Sequence, residues 1–185
     1  KRRRIWDVTA RKLNLLYHHA DNRLLFPWYV GDQLIGATGR ALEERPDISK
    51  IKAYFGLVKS NSFYLPGRTL RFKEPLVLVE GEIDSIRVYQ AGWTNVAAIA
   101  QGSKINQKQA QRIVASRPSE VILFLDYDKV GQQLTEEMIR LLREENSLLP
   151  ISKVYYPCLS LKGRKIDPGA MVENKIRYVL NRRRP

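Results

Sequence analysis

Two stretches place carboxylates where a folded chain should tolerate them least. "LVLVEGEIDSI", residues 76–86, runs four apolar residues straight into Glu80, Glu82 and Asp84. "VILFLDYDKVG", residues 121–131, ends in the same way on Asp126 and Asp128. An unpartnered buried carboxylate is costly, so acids at the tips of the two most apolar runs point to a site. Apolar runs of this length read as strands covered on both faces. In an open parallel sheet, ligands bind beyond the carboxyl ends of the strands. Glu80, Asp126 and Asp128 fall there together if the two strands are neighbours. Asp126 and Asp128, two apart on an extended segment, can point to the same side. Three such acids repel one another unless cations neutralise them, and hard oxygen donors favour Mg2+ or Mn2+. Taken singly, Asp128 also reads as a helix cap and Glu80 as a solvated loop residue. The repeated pattern favours a metal platform.

The elements that must hold these acids alternate regularly from residue 75. Strands are predicted at Leu76–Val79, Asn95–Ile99, Val121–Leu125 and Lys153–Tyr156. Between them lie three helices: one from about Asp84 to a stop at Gly92, one capped by Asn106 and ending near Ser116, and one with Leu134, Met138, Leu141 and Leu142 facing inward. This alternation predicts an α/β fold with right-handed crossovers and a mainly parallel central sheet flanked by helices. Residues 1–75 are less regular. A helix within Ile5–Leu16 is expected, then a hairpin of Leu24–Val30 and Gln33–Gly39 turning at Gly31-Asp32, then short extended pieces in "KAYFGL" and "SFYLPG". Two units are therefore expected, a small basic α+β subdomain over 1–75 and a catalytic domain over 76–185 with a basic C-terminal tail.

The net charge of +13 is unevenly spread: +8 over residues 1–75, −2 over 76–149 and +7 over 150–185. An acidic centre between basic arms suits a metal-dependent enzyme acting on a polyanion such as nucleic acid. The plainer alternative is a solubility charge with ragged, disordered ends at "KRRR" and "NRRR". One cysteine, Cys158, excludes a disulfide framework and a cysteine-rich zinc module within this segment. No apolar run is long enough to span a membrane and nothing reads as a signal peptide, so no membrane partner and a cytoplasmic location are expected. The chain opens at Lys1 without methionine, as a fragment of a longer protein would.

A glutamate-glycine after one strand and Asp-x-Asp-x-x-Gly after another, "VEGEID" and "FLDYDKVG", resemble the Toprim signature. Primases, topoisomerases, recombination mediators and some nucleases share it. "EGEIDSIRVYQAG" and "LDYDKVGQQLTEEMIRLL" look most like bacterial and phage primases. "RLLFPWYVGDQLIGATGRAL" resembles the basic subdomain preceding Toprim in those primases, and "GRKIDPGAMV" their later Lys-Asp-Pro segment, with Ile166 inserted here. The likeness covers roughly residues 20–175. It implies a Toprim fold and synthesis of short RNA primers on single-stranded DNA from ribonucleoside triphosphates. Glu80, Asp126 and Asp128 would be the metal-binding and catalytic acids, with Asp167 a further ligand and Gly81 and Asp84 in support. Two divalent ions are implied, and Glu80 reads either as ligand or as general base. Arg40, Lys50, Lys52 and Lys59 fall in the family's template- and nucleotide-binding region, Lys52 fitting best. Gly102, Ser103 and Lys104 read as a phosphate-contacting loop or an ordinary turn. Trp28, Tyr54, Phe55 and Phe63 read as base-stacking or, for most of them, core residues, and His18 and His19 as surface. A replicative helicase, in cis or in trans, is the expected partner. The family's zinc module is absent from this segment, and Val130 stands where alanine is commoner. A Toprim nuclease or topoisomerase, or a non-catalytic single-stranded-DNA-binding module of a helicase, are the competing readings.

Overall fold

The computed structural model describes residues 4–43, 49–57, 62–100, 105–156 and 167–185. Lys59, Gly102, Ser103, Lys104 and Cys158 lie outside the described residues, as do the first residues of the Lys-Asp-Pro-like segment. Four parallel strands, β5 (Leu76–Val79), β6 (Val96–Ala98), β7 (Val121–Leu123) and β8 (Ile151–Lys153), form one sheet in the order β6-β5-β7-β8. This is the expected α/β architecture, with helices on both faces. β5 shows why its run is continuously apolar. Leu76 and Leu78 face one cluster, with Ala110, Ile113, Leu134, Met138 and Leu142 from α3 (Gln107–Ala115) and α4 (Lys129–Glu145). Val77 and Val79 face the other, with Ile83 and Ile86 from α2 (Glu82–Gln90) and Ile176, Val179 and Leu180 from α5 (Glu173–Asn181). All four β5 side chains are fully buried, as a strand sandwiched between helix layers requires.

Local signals behave largely as expected. Asn106 caps α3 by accepting from the Gln109 backbone N–H at 3.0 Å, and Gln109 answers to the Asn106 N–H, a reciprocal cap. Gly92, at φ +101°, ends α2 in a conformation that other residues avoid. Most boundaries shift by one or two residues, and two differ more. The N-terminal helix is only α1 (Asp7–Lys12), because the chain turns at Asn14, φ +53°, and Leu16 already opens β1 (Leu16–His18). The last strand begins at Ile151, so Tyr155 and Tyr156 lie past its end.

The C-terminal arm departs most from expectation. α5 was unanticipated within the tail, yet Ile176, Val179 and Leu180 are 1% exposed or less. Beyond it, Arg184 bridges to Lys153 along the outer edge of β8, exchanging both backbone hydrogen bonds at 2.7 and 3.0 Å. Arg183 grips Glu120, donating from Nε and Nη2, and Ser152 adds a hydroxyl to the same carboxylate. The Arg183 hydrogen bonds hold the Glu120 carboxyl below its ordinary range, against the opposing effect of burial. A depressed carboxyl stabilises the fold above its unfolded pKa and ceases to as pH falls through the folded value. Glu120→Gln is therefore expected to cost about 1–3 kcal/mol at neutral pH. Parallel thermal melts should show that deficit closing as the pH is taken below about 4.

The second sheet is antiparallel, β1-β2-β3-β4, with β2 (Arg23–Val30), β3 (Gln33–Ala41) and β4 (Ile51–Tyr54). The β2–β3 hairpin turns at Gly31-Asp32 as expected, with Gly31 at φ +59°. Pro27 is tolerated in β2 because β1 pairs only with Arg23–Leu25, leaving Pro27 beyond its reach. Trp28 and Phe26 pack on Tyr64, which forms a backbone bridge to Ala98 of β6. Trp28 Nε1 donates to Thr38 Oγ1 at 3.1 Å, and Thr38 donates to Glu82 Oε1 at 2.8 Å. A buried polar chain thus ties the antiparallel sheet to α2. Trp28 and Phe63 are core residues, whereas Phe55 is exposed.

Candidate active site

Glu80 follows β5 directly, and Asp126 lies three residues past β7. β6 and β7 flank β5 on opposite sides, so these two acids stand where the strand order reverses, the ligand position of open α/β sheets. The Asp126 backbone N–H donates to Glu80 Oε1 at 3.0 Å, tying the two loops together. Glu80 is thus not a freely solvated loop residue.

Asp128 is the N-cap of α4, and its Oδ1 accepts from the Gly131 N–H at 2.8 Å. The capping role holds, and it fixes the carboxylate at the start of α4, two residues after Asp126. Gly131 explains the last letter of Asp-x-Asp-x-x-Gly. A Cβ there would sit 2.1 Å from the Asp126 carbonyl oxygen and 2.9 Å from Glu80 Oε1. The helix can begin this close to the acids only without a side chain. Gly131→Ala is expected to lower stability by about 1–3 kcal/mol through overpacking, outweighing the ~1 kcal/mol gained in helix propensity. It should also displace Asp126, which urea titration and an activity assay would read together.

Asp84 lies in the first turn of α2, and its Oδ2 accepts from the Gly81 N–H at 3.1 Å. Its Oδ1 accepts from the Gly169 N–H at 2.8 Å, in the short helical turn Pro168–Ala170. Asp84 is therefore a strut that draws Asp167 and its loop onto the strand ends. A Cβ on Gly169 would meet Asp84 Oδ1 at 2.6 Å and Asp167 Oδ1 at 3.1 Å. Burial first, then the negative charges of Asp167 and Asp126, push the Asp84 carboxyl up to about 8, against its two backbone hydrogen bonds.

Tyr156 reports on the whole group. Its hydroxyl donates to the Leu125 carbonyl. Burial, then Asp126, Asp84, Asp167 and Glu80, all push the phenol upward, so one buried ring feels all four acids. Nothing in the sequence marks this tyrosine, since it closes the expected Lys153–Tyr156 strand as a core aromatic would. Glu82 was also passed over as a site-neighbouring residue.

The basic candidates are more dispersed. Arg40 is half-buried in β3 and lines a recess with room for about one water, beside Thr38, Glu82 and Ile83. Lys50 is exposed just ahead of β4. Lys52 is exposed on β4, paired with Asp21 at 2.7 Å and 5.1 Å from the Tyr54 ring centroid. The hydrogen bonds from Lys52 and then Tyr54 lower Asp21 to about 2. Buried Arg23, which drew no notice in the sequence, donates to the carbonyls of Gly39, Lys50 and Ser49 and so holds the ends of β3 and β4 together.

Residues 77–162 match the Toprim-like family model. The likeness to that family lies in this segment, which holds all the strand-end acids except Asp167. The chain is similar to a DNA primase of Clostridium acetobutylicum, 27% identical over 153 residues, which covers 80% of this chain and 25% of that protein. It is likewise 28% identical over 149 residues to a DNA primase of Halalkalibacterium halodurans, covering 75% and 24%. The chain thus spans about a quarter of the curated relatives it matches. Among solved structures, the zinc-binding and RNA polymerase domains of the Aquifex aeolicus primase superpose with a TM-score of 0.78 at 20% identity, covering 98% of this chain and 54% of that one. The primase fragment of the bacteriophage T7 primase-helicase protein gives 0.72 at 17%, covering 97% and 70%. At such identities these likenesses speak to fold: both sheets, and not residues 77–162 alone, share the fold of those structures.

Divalent metal dependence is general among Toprim primase cores. The acids at the strand ends fit a hard cation in donor type, and the charge crowding around Asp84 is what a cation would relieve. Among the described residues, no three acids, histidines or cysteines already converge as an ion-holding group. The fit is one of chemistry and charge, not of a preformed cage.

Proposed function

We propose that this chain is the catalytic core of a DNA primase, joining ribonucleotides on a single-stranded DNA template. The observation that carries the reading is the tie between Glu80 and Asp126 at the sheet's reversal point, with Asp84 bonded to the Asp167 loop and crowded by the charges of Asp126 and Asp167. The comparisons with primase cores support it. Glu80, Asp126 and Asp128 would hold Mg2+ or Mn2+, two ions being expected, with Asp167 as a further ligand. When bound, such ions lower the pKa of an attacking hydroxyl and balance charge on a departing pyrophosphate.

The protein's own part is positioning. The Asp126 N–H orients Glu80, the α4 cap orients Asp128, and Asp84 holds the Asp167 loop against them. A Glu80 oxygen fixed by a backbone N–H suits a ligand better than a mobile base. Arg40, Lys50 and Lys52 on the antiparallel sheet would take template or nucleotide phosphates. Lys52 would exchange its Asp21 partner for phosphate, so its contribution should weaken with salt. Lys59 is assigned to the same task from the family likeness alone, and Lys104 from its place in sequence after the expected Asn95–Ile99 strand. Ribonucleoside triphosphates, the growing RNA primer and a replicative helicase complete the proposed set of partners, in a cytoplasmic setting.

Incubation of the chain with single-stranded template, a pre-formed primer end, labelled ribonucleotides and Mg2+ or Mn2+ tests this. Extension to oligoribonucleotides is the expected result. Template cutting without synthesis would replace this reading with a Toprim nuclease.

A further inference from the structure

One cavity beside the acids has no role in the scheme above. It encloses about 500 Å³ between the start of α4 and the outer edge of β8. Asp126, Tyr127 and Glu136 stand on the α4 side; Lys153, Tyr155 and Arg184 stand on the β8 side. Tyr127 and Tyr155 are about half exposed, which is unusual for rings that a neighbouring core could bury. The Arg184 guanidinium lies 4.4 Å from the Tyr155 ring centroid. The same pairing recurs on α5, where Arg182 lies 4.6 Å from the centroid of the half-exposed Tyr178 ring.

We propose that this cleft and the β8 edge form a track for single-stranded nucleic acid, leading from Asp126 toward the basic C-terminal segment. The inference rests on the nucleotidyl-transfer reading of the acids and adds a path for one strand. Open aromatic faces interleaved with cations bind unpaired bases and backbone together. The walls also give the strand an orientation. Asp126 and Glu136 repel phosphates, so bases turn toward Tyr127 and the backbone toward Lys153 and Arg184. A duplex hides its base faces, leaving Tyr127 without a stacking partner and bringing phosphates against Asp126 and Glu136. A free triphosphate held by Lys153 and Arg184 would keep its phosphates on the β8 side, away from the carboxylates. The C-terminal arm is held in place for this task, since Arg184 is bonded to the β8 backbone and Arg183 to Glu120.

The test is fluorescence anisotropy of labelled deoxythymidine and uridine oligomers of about fifteen nucleotides with the 185-residue chain, in EDTA. Tyr127→Ala/Tyr155→Ala should weaken binding by about fivefold or more. Tyr127→Phe/Tyr155→Phe should restore it, separating stacking from folding. Arg184→Ala should reduce the slope of log K against log salt by about one. The oligomer that loses affinity tells whether template or primer uses the track, and 5-iodouracil cross-links should map to Tyr127 or Tyr155. Native affinity in the double alanine variant for both oligomers overturns the proposal. So does a loss confined to mononucleotide binding. Binding in EDTA needs no turnover, so a chain that fails to make RNA can still pass or fail here.

Discussion

Asp126→Ala is expected to abolish nucleotide addition, by about 10³-fold or more, because it removes a charged oxygen donor from the centre of the acid group. The fold should survive. Alanine keeps the backbone N–H that donates to Glu80, and the substitution removes one of the charges that raise Asp84. The metal-free variant should therefore melt no lower than the native chain. Single-stranded DNA binding should stay within about twofold, since phosphate contacts come from the basic residues. The sharper measurement is the melting shift on adding Mg2+ or Mn2+. A ligand that binds only the folded state raises stability in proportion to RT ln(1 + [L]/Kd), and that increment should shrink or vanish in the variant. Native activity, or an undiminished metal-induced shift, would remove Asp126 from the site.

Arg87→Met is expected to destabilise the fold by about 3–5 kcal/mol, the usual cost of stripping one partner from a buried ion pair. Arg87 is fully buried in α2. Its guanidinium pairs with Glu173 at the start of α5, donates to the Arg4 carbonyl at 2.6 Å and also bonds the Met171 carbonyl. Gln90 joins from the next turn, reaching Glu173 and Arg4, and accepts from the Trp6 N–H at 2.9 Å. One side chain thus clamps the N-terminal segment, α2, the turn after Asp167 and α5. Urea titration should show a midpoint drop at unchanged slope. Arg87→Met/Glu173→Met should recover part of it, because the pair's desolvation cost disappears with the pair. A single-variant loss under about 1 kcal/mol would mean that the clamp is ornamental. Because Met171 follows Gly169 closely, activity below the melting transition should fall as well.

What the sequence made legible was the part governed by short range. The apolar runs at Leu76–Val79 and Val121–Leu125 predicted buried strands, and Glu80 and Asp126 were expected at their ends because parallel sheets gather ligands there. The Asn106 cap and the Gly31-Asp32 turn needed only neighbouring residues. α5 was legible too: Ile176, Val179 and Leu180 have helical spacing after Glu173, but the surrounding arginines made the segment read as a tail. Arg87 was illegible for a different reason. Its partners lie 83 to 86 residues away in sequence, and no local pattern announces such a meeting. Tyr156 was masked by its chemistry, since a phenol that feels four acids is spelled like any core aromatic. Asp84 could be named from the likeness to primases, while its work as a strut between Gly81 and Gly169 required coordinates.

The buried chain from Trp28 through Thr38 to Glu82 turns the protein into a gauge. Glu82 is two residues from Glu80, and Thr38 is two residues from Arg40. On the proposed reading, a strand held by the antiparallel sheet is therefore presented at a fixed offset from the acids, through a buried polar tie and not through a hinge. If that reading holds, a strand that slipped by one nucleotide would have to be released and held again.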